Sequence, residues 1–167
     1  TKMPKIPMSE QDARDIAAFL ITSNLSSLPE VKPPERLPVL ERRVRYGEVS
    51  EKVFKKVCWH CHSEADYVGG DGGPGNTGGF GFEGRGLSLA EYTAIASGMR
   101  DDQGKRTSVF KDAPNGMPWL VAVMYARHVE VAGGEVEGVR GMPLGLPPMT
   151  LEEIQLVETW ISQGRPR

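Results

Sequence analysis

The sequence predicts an all-α protein with long glycine- and proline-rich loops. Three observations lead there: paired helix-start residues recur at three places, apolar residues follow at helical spacing, and strand signals are nearly absent. Ser9 stands three positions before Asp12, close to a capping box, and Ala13, Ile16, Ala17 and Leu20 mark one face of the helix that follows, with Phe19 beside it. Residues 25–41 hold Pro29, Pro33, Pro34 and Pro38 with no sustained period, which predicts an extended, proline-stiffened linker. A second unit then begins near Arg42, where Val49, Val53, Phe54 and Val57 keep helical spacing and lead straight into Cys58. Glycine fills more than half of the stretch from Gly69 to Gly86. That stretch lacks the Gly-Lys-Ser/Thr of a phosphate loop, and no strand precedes it as a dinucleotide fingerprint requires. It reads either as a flexible loop or as backbone that passes close to a flat, bulky group, where a Cβ would clash. Ser88 and Glu91 form a second capping pair, opening a helix to about Ser97. Residues 99–116 look irregular, and Pro118 suits the first position of a helix running to about His128. After a loop over 132–149, Thr150 and Glu153 make the third capping box. The last helix carries Ile154, Val157, Trp160 and Ile161 on one face, and Gly164 and Pro166 end it.

The most informative stretch is Cys58-Trp59-His60-Cys61-His62. It reads C-x-x-C-H, the spacing at which a c-type haem is attached. Two thiols three positions apart lie on adjacent sides of one helical turn and can add to the two vinyl groups of one porphyrin. The histidine directly after the second thiol then lies under the ring, with a nitrogen within reach of the iron. Cys58 and Cys61 are the only cysteines, so the chain can hold one covalent haem. Other uses of the pair fit less well. A thioredoxin-like redox pair needs a preceding strand within a βαβ pattern. A zinc site needs a second pair of ligands, and the one remaining histidine, His128, stands alone. A structural disulfide across an x-x spacing is strained.

Length and composition bound the reading. A chain of 167 residues makes one domain of ordinary size, and 39% apolar residues is low for a self-sufficient core, a deficit that a buried porphyrin would offset. A formal charge of −2 gives no reason to expect a nucleic-acid partner. No apolar run approaches the length of a membrane span. Haem c is attached on the outer side of a bacterial inner membrane, so the expected location is the periplasm, with the chain read as a mature exported product whose signal has gone.

From about residue 42 to 167 the chain resembles a class I cytochrome c domain. Phe54 stands four positions ahead of Cys58, as that family's aromatic does. The family usually has glycine four residues earlier, where its first and last helices cross, and this chain has Ser50 there. Trp160 is the aromatic that the last helix would bring to the crossing. The resemblance implies that Pro74, in Gly73-Pro74, offers its carbonyl to the second nitrogen of His62. The segment Met142-Pro143-Leu144-Gly145-Leu146-Pro147-Pro148-Met149 resembles the larger bacterial cytochrome c domains found inside multi-domain redox proteins. Residues 1–24 resemble the methionine loop and last helix of another such domain, with Met3 in the loop. That implies the C-terminal part of a dihaem cytochrome. The other reading of 1–24 is an ordinary amphipathic helix docked on the haem domain.

His62 is the expected proximal ligand of the iron. The expected sixth ligand is Met142, which precedes a proline-rich loop and the last helix. Met149 and His128 are the rivals. Met149 sits beside the cap Thr150, where a packing role under the helix start suits it, and His128 lies near a helix end, where a lone histidine favours the dipole or solvent. Met99, Met117 and Met124 are expected to pack. His60 points away from the iron, Trp59 packs or meets a partner, and Arg85 pairs a haem propionate or is a solvated loop residue. Arg42, Arg43, Arg45, Lys52, Lys55 and Lys56, against Glu41, Glu48 and Glu51, form a basic segment next to the haem helix. It either steers an acidic redox partner or is an ordinary solvated face. The function that results is electron transfer with no catalytic residue. The alternatives are a haem-bearing subunit or domain of a dehydrogenase or peroxidase-like enzyme, and an open-site haem sensor.

Overall fold

The computed structural model describes residues 9–22, 32–63, 86–101 and 103–167. The chain divides into two compact units, Thr1–Val31 and Lys32–Arg167. In the first, helix α1 spans Glu10–Thr22. The expected box opens it: the Ser9 N–H donates to Asp12 Oδ2 (3.1 Å), and the Asp12 N–H donates to Ser9 Oγ (3.1 Å). Ile16 and Phe19 are exposed.

The second unit begins inside the stretch expected to be linker. From Lys32 on, that stretch is bonded to helices further along the chain. Tyr125 donates to the Pro34 carbonyl, Arg36 pairs with Glu158, Gln155 donates to the Pro38 carbonyl, and the Leu40 N–H donates to Thr159 Oγ1 at 2.9 Å. Pro33, Pro34 and Pro38 lack a backbone N–H, which disfavours a regular ladder in this segment. Its carbonyls are instead taken by side chains.

The run into the motif is helical, as the spacing predicts, but its winding changes along its length. Helix α2 is α-helical over Tyr46–Val49 and continues as a π turn over Ser50–Phe54, in which the Lys55 N–H reaches the Ser50 carbonyl (2.8 Å). A 3₁₀ turn, Cys58–His60, follows. Helices α3 (Tyr92–Ser97), α4 (Trp119–Val131) and α5 (Leu151–Ser162) complete the unit. Between α3 and α4, in the stretch expected to be irregular, β1 (Met99–Arg100) pairs antiparallel with β2 (Arg106–Thr107). Met99 therefore lies in a strand while packing on the core as expected. Gly98 makes the turn from α3 into β1 at φ 75°, and a Cβ there would run into the Thr107 carbonyl.

Two of the three capping pairs form. Thr150 and Glu153 make both bonds of the box, Thr150 N–H to Glu153 Oε2 (2.8 Å) and Glu153 N–H to Thr150 Oγ1 (3.3 Å). The Ser88–Glu91 box does not form. Helix α3 starts at Tyr92 with Glu91 as its extended N-cap and no side-chain cap bond. The cause is tertiary: the Leu89 N–H donates to the His62 carbonyl (2.7 Å), which draws the chain just before α3 toward the motif. Pro118 is the N-cap of α4 instead of its first residue, and α4 runs three residues beyond His128.

The core lies where α2 and its π turn pack on α5, and α4 packs on α5 as well. Trp160 is wholly buried, with the rings of Tyr46, Phe54, Tyr92 and Phe110 at 5.9, 6.1, 6.1 and 5.7 Å from its own. Its indole N–H is satisfied by the Pro166 carbonyl (3.2 Å), which also takes the Tyr46 N–H (2.8 Å) and so caps the start of α2. Ser50 is buried in the turn that meets α5. A smaller cluster of Ala113, Ala122, Ala126 and Val139 packs a second side of α4.

Candidate functional site

Cys58 and Cys61 are both free thiols. They open and close one tight turn: the Cys61 and His62 N–H groups both reach the Cys58 carbonyl, at 3.3 and 3.0 Å. Trp59 anchors that turn to the helix before it. Its ring is buried, its Nε1–H donates to the Lys55 carbonyl, and its own carbonyl accepts from the buried Ser63 hydroxyl (2.6 Å). Of the two roles expected for Trp59, packing is the one seen. His60 lies partly buried with its ring 4.9 Å from that of Trp59.

The Cys58 sulfur faces inward, toward the Val53 carbonyl (3.8 Å), and the residue packs on the main core. Burial pushes its thiol up to about 12, with the nearby Glu153 carboxylate adding to the shift. A dithiol catalyst uses the reverse, a depressed thiol that is ionised near neutral pH. Cys61 is exposed.

His62 is held from two directions by one short segment. Its Nδ1 lies 3.3 Å from the Leu87 carbonyl, and its own carbonyl accepts from Leu89. A carbonyl can only accept, so this contact requires the proton on Nδ1 and puts the ring's lone pair on Nε2. Pro74, the residue implied for this role, lies outside the described residues, as do Arg85, Met3 and most of the glycine run. Nothing in the sequence singles out Leu87, because the group used is a main-chain carbonyl that any residue would supply. A haem bound at this motif needs two reduced thiols on one turn and an imidazole with Nε2 as its donor, and the residues present fit that need. Among the described residues, no group of three or more His, Cys, Asp or Glu side chains is placed to hold a metal ion, so a tetrahedral zinc knuckle has no second half there.

The three candidates for a sixth ligand are in different settings. Met142 is partly buried at the start of its loop, and its N–H donates to the Val123 carbonyl (2.7 Å). Met149 is buried in the main core with Ile154. His128 is partly buried in the last turn of α4, and its Nε2 lies 2.8 Å from the Met149 carbonyl. Met117 and Met124 pack in the core, as expected.

The basic segment is largely neutralised from within. Arg42 and Lys52 share Glu48, Lys55 pairs with Glu51, and Lys56 pairs with the α5 cap residue Glu153. The Arg42 and Lys52 bonds hold the Glu48 carboxyl down at about 2. Arg43 and Arg45 form no ion pair among the described residues and are exposed. An open hollow lined by Glu41, Arg43, Gln163 and Pro166 includes no residue of the motif.

No family model, no curated protein and no solved structure matches this chain.

Proposed function

We propose that this chain is a periplasmic electron-transfer protein. It carries one haem c bonded through Cys58 and Cys61, with His62 and Met142 as the axial ligands of the iron. One observation carries the reading. Two free thiols bracket a single turn, and the histidine next to them has its Nδ1 against a backbone carbonyl. When bound, the haem supplies one-electron chemistry, at a potential raised by thioether ligation.

The chain's own residues supply attachment, orientation and burial. The Leu87 carbonyl fixes the His62 tautomer and strengthens the ring as a donor. The raised Cys58 thiol counts against a dithiol catalyst, which needs a thiol ionised near neutral pH. Among the sixth-ligand candidates, core burial of Met149 and the bond of His128 Nε2 favour Met142. No helix among the described residues is long and apolar enough to cross a membrane. Within the basic segment, Arg43 and Arg45 are the cations that would meet an acidic redox partner, since the lysines beside them already have carboxylates among the described residues.

Carbon monoxide binding tests the reading. The reduced, haem-loaded protein is expected to exclude carbon monoxide and to cycle one electron per chain in a reversible redox titration. Rapid carbon monoxide binding would overturn the closed-carrier reading in favour of a sensor or an enzyme subunit.

A further inference from the structure

The loop over 141–149 is tied to α4 at four places. The Gly141 N–H donates to Glu130 Oε1 (2.6 Å), and the Met142 N–H donates to the Val123 carbonyl (2.7 Å). Arg127 Nε donates to the Leu146 carbonyl (2.9 Å), and His128 Nε2 donates to the Met149 carbonyl (2.8 Å). Arg127 and Glu130 also pair with each other at 3.1 Å. Burial does not hold the tip of this loop, since Leu144 and Leu146 are 56% and 48% exposed. The tethers must do so.

The tie at Gly141 is the tightest. A Cβ there would lie 2.5 Å from Glu130 Oε2 and 2.7 Å from the Arg127 Cα, and the latter is backbone that cannot swing aside. Glu130 therefore fixes the residue directly before Met142, and Val123 fixes Met142 itself. A methionine side chain has three rotatable bonds, so where its sulfur rests depends on how firmly its backbone is held.

We infer that Glu130, oriented by Arg127, is the positioning residue that holds Met142 in place to bind iron. This rests on Met142 being the sixth ligand. Glu130 touches neither cofactor nor reacting atoms and acts through the Gly141 amide. The carboxylate–amide bond is charge-assisted, and one such bond is worth about a tenfold change in how often the loop lets go, or ~1.4 kcal/mol.

The test uses the full chain loaded with haem, comparing Glu130→Ala, Glu130→Gln, Gly141→Ala and Met142→Ala. A core variant, Ile95→Val, serves as the stability control, because none of the four tethers involves its helix. Glu130→Ala and Gly141→Ala are expected to weaken the long-wavelength sulfur-to-iron charge-transfer band, lower the potential and speed carbon monoxide binding about tenfold. Glu130→Gln keeps an oxygen for the Gly141 N–H and should keep most of the band. Ile95→Val should lower Tm and leave the band intact. If Glu130→Ala does not accumulate as folded protein, Glu130→Asp, whose shorter arm withdraws the oxygen, makes the same comparison. The inference is overturned if Met142→Ala loses the band while Glu130→Ala (or Glu130→Asp) and Gly141→Ala keep it with unchanged carbon monoxide rates. If Met142→Ala keeps the band, the ligand assignment itself falls, and the positioning role falls with it.

Discussion

Replacing each of the two loop methionines by alanine separates packing from ligation. Met149 is 4% exposed and belongs to the main core with Ile154 and Val157, so Met149→Ala leaves a cavity in close-packed surroundings. Truncations of that kind cost about 2–5 kcal/mol. In a domain of this size, that lowers Tm by roughly 6–20 °C. The bond from His128 goes to the Met149 main chain and survives the change, which argues for the lower half of the range. Met142 is only partly buried, so Met142→Ala should lose less stability. Its effect should be spectroscopic: loss of the sulfur-to-iron charge-transfer band, a fall in potential and a gain of carbon monoxide binding. The assay is a thermal melt and a long-wavelength absorbance spectrum on each haem-loaded variant. A Met149→Ala protein that melts normally but has lost the band, beside a Met142→Ala protein that keeps it, would refute the assignment. Loss of the band in neither variant would point to His128 or an open iron and raise the sensor and enzyme readings.

Other perturbations probe the frame around the site. Trp160→Ala removes the ring that four other aromatics surround and should cost about 3–5 kcal/mol, read by chemical denaturation; a loss under ~1 kcal/mol would mean that the crossing of α2 and α5 is not the centre of the core. Gly98→Ala forces a side chain into a left-handed backbone and against the Thr107 carbonyl, and should cost at least ~1–3 kcal/mol. The Glu48 carboxyl titrates near 2 in the folded protein against an ordinary 4.5. Because its folded value is depressed, its contribution to stability is full above about 4.5 and is lost as pH falls toward 2. Melts should show Glu48→Gln to be less acid-sensitive than the parent across that window, and equal sensitivity would count against the Arg42–Glu48–Lys52 cluster.

What the sequence revealed was mostly local. The boxes at Ser9–Asp12 and Thr150–Glu153 depend on residues three apart and formed as read. The Ser88–Glu91 pair has the same local pattern, but there the Leu89 N–H is bonded over a long range to the His62 carbonyl. The apolar spacing ahead of Cys58 predicted a helix but not its change from α to π winding, because periodicity averages over a turn. The β1–β2 hairpin is too short for an alternating pattern. It is built around the Asp101 carboxylate, which accepts from the Gln103 and Lys105 N–H groups (3.0 and 2.8 Å). At the proposed site, the turn that brings Cys58, Cys61 and His62 together was legible because it follows from their spacing. The Leu87 carbonyl was not, since main-chain groups leave no mark in sequence. For the basic segment, steering patch and ordinary solvated face stayed open in the sequence, because composition does not show that Glu48, Glu51 and Glu153 pair with its cations.

Covalent attachment is measured most directly by whether haem stays on the denatured chain. The protein, matured where haem c is attached, is run on a denaturing gel stained for haem and is weighed intact by mass spectrometry. One haem is expected to stay on the chain through denaturation and to be lost from the Cys58→Ala, Cys61→Ala double variant. Haem that extracts freely into acidic acetone from the unmutated protein, or an intact mass with no added haem, would contradict covalent attachment.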